Sequence, residues 1–344
     1  MRRLTILTWH VHGSYLEALG HTGHDIVVPV LPGRPPRFGG RPPDARWPDT
    51  IREVRAEDVP SLHADVVLFQ HALNWTLDQS ILSDEQRRGP RIFLEHDPPA
   101  GHPTDTRHPV DDPAVLLVHV TAYNALMWDA GRTPTRVIDH GVSVPPDLEA
   151  TLALERGVVV VNDLARRGRR LGADLVAEAR GQVPLDLYGM GTEPSGGLGA
   201  LPRDALLRRE AEYRFFFHPA RHTSLGLGVI EAMMIGLPIV GLATTELPTV
   251  IENGVNGIID TRPDRLVEGM RMLLADRGLA RQLGLLGRAT ARERFRIERF
   301  VGDWNETFRE VADVSRTPAH HLGAVGGGEG TASGPAPELA RTAR

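Results

Sequence analysis

Within the apolar run from Val229 to Leu237 a single carboxylate, Glu231, interrupts the hydrophobic pattern. A carboxylate in that setting loses hydration and must recover it in hydrogen bonds, which a pair of ribose hydroxyls could supply. Just upstream, Thr223, Ser224, Leu225 and Gly226 open the same helix, which is expected to start near Ser224. A polar, glycine-containing helix N-terminus offers unpaired backbone N–H groups and a partial positive charge, and so can hold a phosphate without a dedicated side chain. The elements that position these groups are legible around them. A buried strand at 215–217, a loop, the helix, a Gly-Leu-Pro stop at 236–238 and a second apolar strand make one βαβ unit.

Other strand ends carry further candidates. Gly13 and Ser14 lie at the turn after the first strand, where small residues let a backbone approach a ligand. A plain strand-to-helix turn reads equally well there. His96 and Asp97 end the strand RIFLE before two prolines; a histidine there can bond a sugar hydroxyl or handle a proton, although a lone histidine is more often a core or capping group. The segment VNDLARRGRRLGADLV holds Arg166 and Arg170, which share a face if the segment is helical. Gly189 and Gly191 follow the strand Leu185–Tyr188 and by themselves signal only turns. Met233 and Met234 read as core.

Short runs rich in Val, Ile and Leu recur along the whole chain. Leu4–Trp9, Asp25–Val30, Asp65–Gln70, Arg91–Glu95 and Val115–Val120 form one set. Val158–Val161, Leu185–Tyr188, Arg214–Phe217, Ile239–Leu242 and Gly257–Asp260 form another. Such runs suit parallel strands covered on both faces, so two doubly wound α/β domains are predicted, with ligands in the cleft beyond the strands' carboxyl ends. The expected division is residues 1–145, with a linker between Gly141 and Arg156, then 146–296. Three helices are expected near Pro263–Ala275, Leu279–Arg294 and Ile297–Val314. The Pro/Gly/Arg-rich stretch Leu31–Pro48 reads as irregular, and the Gly/Ala/Pro/Ser-rich 315–344 as a disordered tail.

Composition narrows the chemistry. The 344 residues are 41% hydrophobic and 24% charged, ordinary for a globular chain of two domains, and the net charge of −5 gives no footprint for nucleic acid. There is no cysteine, which excludes disulfides, thiolate metal sites and a cysteine nucleophile. There is no lysine either: all 39 basic residues are arginine, so any phosphate clamp must be Arg or His. No apolar run reaches membrane-spanning length and the first residues enter a strand pattern, so a cytoplasmic protein is expected, with peripheral contact at the inner membrane face left open.

The pattern TSLGLGVIEAMMIGLPIVG, with ELPTVIENGVNGII after it, resembles the nucleotide-sugar signature of retaining glycosyltransferases of family four, the group 1 enzymes that include glycogen-synthase-like and mannosyltransferase-like proteins. The resemblance is specific over roughly 158–313 and weak before it. It implies a GT-B fold, two Rossmann-like domains facing a central cleft, with the last helix crossing back onto the N-terminal domain. It implies a nucleoside-diphosphate sugar as donor, a glycan or lipid-linked acceptor, and no metal or other cofactor. The acceptor hydroxyl would attack on the face the diphosphate leaves, and the leaving phosphate would take the proton.

By the same resemblance Glu231 holds the donor ribose, His96 contacts the sugar, Gly13 sits against the donor phosphate and acceptor, and Gly189 lies near base or ribose. Arg166 and Arg170 stand for the pair that neutralises the diphosphate, because Asp163 occupies the place of the usual arginine. Glu246 would reach the donor sugar from a cleft-facing loop. Thr223 falls where the signature has its first glutamate, and a neutral hydroxyl cannot replace a bidentate acceptor. That departure keeps a second reading open, a GT-B protein that binds nucleotide sugar without transferring it. A third reading takes His10-Val11-His12 as a metal pair, completed by His71, His96 or His140, in a metal-dependent hydrolase. It requires a closed eight-stranded barrel and leaves the Glu231 helix without a purpose.

Overall fold

The computed structural model describes residues 2–42, 45 and 47–314. The first seven strands are β1 (Thr5–Thr8), β2 (Asp25–Val30), β3 (Ile51–Arg55), β4 (Val66–Phe69), β5 (Arg91–Glu95), β6 (Val115–His119) and β7 (Thr135–Val137). They form one parallel sheet in the order β3-β2-β1-β4-β5-β6-β7. The next five are β8 (Leu154–Val160), β9 (Leu185–Tyr188), β10 (Tyr213–His218), β11 (Ile239–Leu242) and β12 (Ile258–Asp260), in a second parallel sheet ordered β12-β11-β10-β8-β9. Both sheets reverse direction of growth once, between β1 and β4 and between β8 and β10, and ligands bind at such switch points.

The central strands are apolar throughout because both faces are covered: every residue of β4 and of β11 is buried. Register is set by that burial, with Ile6 beside Ile26 and Val66, and Phe216 beside Val158 and Ile239. Ile6 and Leu7 point to opposite faces, so the first sheet has a core on each side. Two strands escape the sequence pattern, β3 and β7. Both are edges, and in Ile51–Arg55 only Ile51 is buried, so polar residues leave no apolar run to read.

The Ile297–Val314 helix returns to the first sheet, where Phe300, Trp304 and Phe308 join the core of Ile6, Leu16, Val28 and Leu68. The Trp304 Nε1–H donates to the Tyr15 hydroxyl at 3.1 Å, which satisfies the one polar atom that this burial would orphan. Residues 138–153, between β7 and β8, hold no helix or strand, and β8 begins inside the expected linker. The described part of Leu31–Pro48 has no regular element, while the tail expected at 315–344 lies outside the described residues.

Two open sheets leave no closed barrel for a His-x-His metal centre. β1 stops at Thr8, so His10 and His12 lie beyond the strand alternation that would have aimed them together. The His10 ring packs edge-on to Trp47 at 5.3 Å and the His12 ring on His96 at 4.3 Å, and among the described residues no group of three or more His, Asp or Glu could hold a metal ion. The hydrolase reading is therefore set aside.

Candidate nucleotide-sugar site

A cleft of about 690 Å³ opens beyond the carboxyl ends of β8, β9 and β10, within the range of about 300–1,000 Å³ typical of small-molecule sites. Its walls include Asn162 and Arg167 after β8, Gly189 after β9, His218 ending β10, Thr223, and the start of the Leu227–Met234 helix, with Ser14 contributed from the first domain. Gly189 has φ 139°, and a Cβ there would lie 2.3 Å from the Val161 carbonyl oxygen, so only glycine lets β9 turn so close to β8.

The helix begins at Leu227, later than the sequence suggested, because Gly226 precedes it at φ 85°. Ser224 and Leu225 consequently lie outside the helix and do not line the cleft; Leu225 points into the core. Thr223 and Gly226 do line it. Gly226 could carry a Cβ without contact, so what calls for glycine there is the positive φ at which the chain enters the helix, whose first amides have no intrahelical partner.

Glu231, one turn into this helix, is buried at the cleft floor, and its Oε1 accepts from the Arg203 Nε–H at 2.6 Å. Burial raises its pKa, and the nearby Arg203 works against that rise. The arginines are distributed differently from the expectation. Arg166 is 74% exposed and tied to Asp163 at 2.7 Å. Arg170 donates from Nε to the His222 carbonyl oxygen at 3.0 Å and lies 3.7 Å from Asp97 across the domain boundary. They share no continuous helix, because the α-helical turn Leu164–Arg167 ends at Gly168, φ 56°. Arg167 is the one that lines the cleft, and its side chain has no hydrogen-bond or ion-pair partner among the described residues. A half-buried guanidinium without an internal partner is suited to an anionic ligand.

Glu246 also departs from its expected place. It is 1% exposed and outside the cleft, accepting from the Tyr123 backbone N–H at 2.8 Å, from the Thr249 hydroxyl at 2.6 Å and from Arg294 at 2.8 Å. Arg294 also pairs with Asp139, so Glu246 joins the two domains rather than facing a donor sugar. Close by, the His222 Nε2–H donates to the Pro99 carbonyl oxygen at 2.9 Å, and its Nδ1 faces the Tyr123 hydroxyl at 3.1 Å.

His96 is held deep on the first-domain side. Gln70 donates from Nε2 to the Trp9 carbonyl oxygen and the Thr8 hydroxyl, which orients its Oε1 toward His96 Nε2 at 3.1 Å. His96 therefore carries its proton on Nε2 and keeps Nδ1 as an acceptor. Burial and the neighbouring His12 hold its pKa well below the usual histidine value, so it is neutral at pH 7 and suits hydrogen bonding rather than proton transfer. Asp97, which the sequence offered as its orienting partner, instead accepts the Trp128 Nε1–H on its backbone carbonyl; Gln70 does the orienting. Gly13 is the first residue of the Gly13–Gly20 helix, and its successor Ser14, not Gly13, reaches the cleft.

Sequence reasoning missed Arg167, Arg203, Asn162 and His218. His218, with its ring buried and its pKa pushed down to about 4 by burial, was signalled by the run Phe215–Phe217 ending in a histidine. Arg203 had no local signal, since only the folded chain brings it to Glu231.

Residues 198–289 match the family model of glycosyl transferases group 1. The fold is shared with the sucrose-phosphate synthase of Thermosynechococcus elongatus, at 16% identity over 91% of this chain and 100% of that one, with a TM-score of 0.64. Anabaena HepE, solved with UDP-glucose, is 15% identical over 90% of this chain and 100% of its own, TM-score 0.65. A glycosyltransferase from Rickettsia africae is 11% identical over 90% and 99%, TM-score 0.59. No curated protein matches the chain in sequence. The chain thus has the GT-B fold of these structures, and its residues 198–289 match the group 1 glycosyl transferase model.

Proposed function

We propose that the protein is a retaining, metal-independent glycosyltransferase that moves a sugar from a nucleoside-diphosphate sugar to a glycan or lipid-linked acceptor, in the cytoplasm and in the service of surface polysaccharide or glycolipid synthesis. The observation that carries this reading is the unpartnered Arg167 in the same cleft as the Gly226 helix start and the buried Glu231. Guanidinium and helix amides would stabilise charge growing on the leaving diphosphate, while Glu231 accepts from the ribose. Neutral His96 would accept from, and so orient, a hydroxyl of the sugar. These groups supply positioning and electrostatics, and the leaving phosphate takes the acceptor proton. No helix among the described residues is long and apolar enough to cross a membrane, so a lipid-linked acceptor would be met from the aqueous side.

The test is a thermal-shift screen against UDP, GDP, ADP, TDP and their common sugars, with and without a chelator, followed by a donor-hydrolysis assay. HepE's complex with UDP-glucose makes UDP-sugars the first to try. A chelator-insensitive rise in Tm with one nucleotide, and slow hydrolysis of its sugar, is the expected result. His96→Ala should lower turnover more than donor affinity; an equal loss in both would make it a substrate-holding residue only. Thr223, neutral and in the cleft wall, favours as the second reading a protein that binds donor without transferring. Nucleotide binding with no hydrolysis and no transfer would select it.

A further inference from the structure

Two carboxylates are buried together beneath the cleft, and one arginine serves them. Glu231 and Glu210 are both buried, burial raises the pKa of each, and Glu231 pushes Glu210 up further. Glu210, the last residue of the Arg203–Glu210 helix, has an Oε2 without a hydrogen-bond partner. Arg203, the first residue of that helix, donates from Nε to Glu231 Oε1 at 2.6 Å and from a terminal nitrogen to the Ser143 carbonyl oxygen at 2.7 Å. Its guanidinium is thereby pinned between the domain-connecting segment and the floor of the cleft. The adjoining groove brings Glu17 and His21 of the first domain near the same pair, and Glu17 adds to the charge that disfavours an ionised Glu231.

We propose that Arg203 is a positioning residue for donor recognition: by engaging Oε1 alone it keeps Glu231 a carboxylate and leaves Oε2 to accept a ribose hydroxyl. The proposal rests on the reading of Glu231 as the ribose acceptor. A protonated Glu231 would place a hydroxyl donor where an acceptor is needed, and among the described residues Arg203 is the only cation bonded to it. In this role Arg203 acts on the nucleotide through Glu231, and its bond to Ser143 makes the orientation of Glu231 depend on the segment that links the two sheets.

The experiment compares binding of each ribonucleoside diphosphate, UDP, GDP and ADP, with that of its 2′-deoxy analogue, by calorimetry at pH 6 and pH 8. Both members of a pair carry the same diphosphate, so the ratio of their affinities isolates the 2′-hydroxyl from phosphate titration. The wild type should prefer the ribonucleotide by at least ~10-fold at both pH values, the scale of a hydrogen bond to a charged group. In Arg203→Met the preference should fall to within about threefold at pH 6 and recover in part at pH 8, because Glu231 regains its charge only as pH rises. Arg203→Lys, which keeps the charge, should restore most of the preference at pH 6, and it keeps the test decisive should the methionine variant fail to fold. A wild type that binds ribonucleotide and 2′-deoxynucleotide alike, or binds none, removes the ribose reading and the proposal with it. A wild-type preference retained unchanged in Arg203→Met overturns the proposal alone. So does an equal, pH-independent loss of all nucleotide binding in both variants, which would place Arg203 on the ligand directly.

Discussion

At the carboxyl ends of β8, β9 and β10 the side chains that face the cleft include Arg167, Arg203 and Glu231, whereas the buried groups at the ends of β1, β4 and β5 are histidines and the Gln70 amide packed on one another. The second sheet leaves Arg167 without a hydrogen-bond or ion-pair partner among the described residues; the first ties Gln70 to Thr8, Trp9 and His96 and packs His96 edge-on against His12 and Tyr15. A diphosphate has fixed charge and fixed geometry, so the half that would bind it must present charge and special backbone conformations. On the proposed function the other half would meet neutral hydroxyls, for which neutral, mutually oriented acceptors suffice. Charge where the ligand is charged, and tautomer control where it is not, would then be the division of labour between the two sheets.

That contrast can be broken first by acid. Burial holds His119 and His140 in the first domain, and His218 in the second, at a pKa of about 4. A histidine depressed in the fold contributes stability above its ordinary value of 6.5 and loses it as pH falls through the folded value. His10, His12, His24 and His96 shift the same way, while Glu210 and Glu231 run opposite. Unfolding is therefore expected between pH 6.5 and about 4, seen in the far-ultraviolet signal, with the first domain losing hydrogen-exchange protection before the second. Simultaneous loss would mean that the histidines do not distinguish the halves.

Trp304→Ala should cost ~3–5 kcal/mol, the usual price of deleting a buried aromatic ring, measured by urea denaturation. The loss belongs to the first sheet, so protection of β10 and β11 amides should change least; an equal change there would show that the two cores unfold as one. Arg167→Ala should weaken nucleoside-diphosphate binding by about 1.5–3 kcal/mol, and Arg166→Ala by less than ~0.5 kcal/mol, since its exposed pair with Asp163 contributes little. Equal effects would dissolve the distinction between a cleft cation and a surface one. Glu231→Ala should cost about 1–3 kcal/mol in nucleotide affinity by calorimetry, and an unchanged Kd would remove the ribose contact from the second domain's share.

The donor half was legible because its constraints are local. Gly226 and Glu231 lie five residues apart on one stretch of chain, and Ile239–Leu242 is apolar from end to end, so motif and strand can be read without the fold. Where the site depends on a contact between distant segments, local reading fails. Arg203 reaches Glu231 from another helix, and Glu246 looks like a loop carboxylate until Tyr123 and Arg294 close over it. The arginine cluster misled for a related reason. Its register turns on Gly168, whose left-handed backbone ends the helix after Arg167 and sends neighbouring side chains in different directions. Edge strands β3 and β7 were silent because an edge keeps one side polar.

The returning helix has a consequence for how the molecule is made. The core on the face of the first sheet that carries Ile6 and Leu68 is completed only by Phe300, Trp304 and Phe308, in the last described stretch of the chain to be synthesised. All seven strands of that sheet have been made by Val137, yet the last part of this cover follows only after the whole second domain, a wait of roughly ten to thirty seconds at ~5–20 residues per second. During that interval the nascent chain carries an apolar sheet face covered only in part, by the Gly13–Gly20 helix, so the second domain can finish folding before the first.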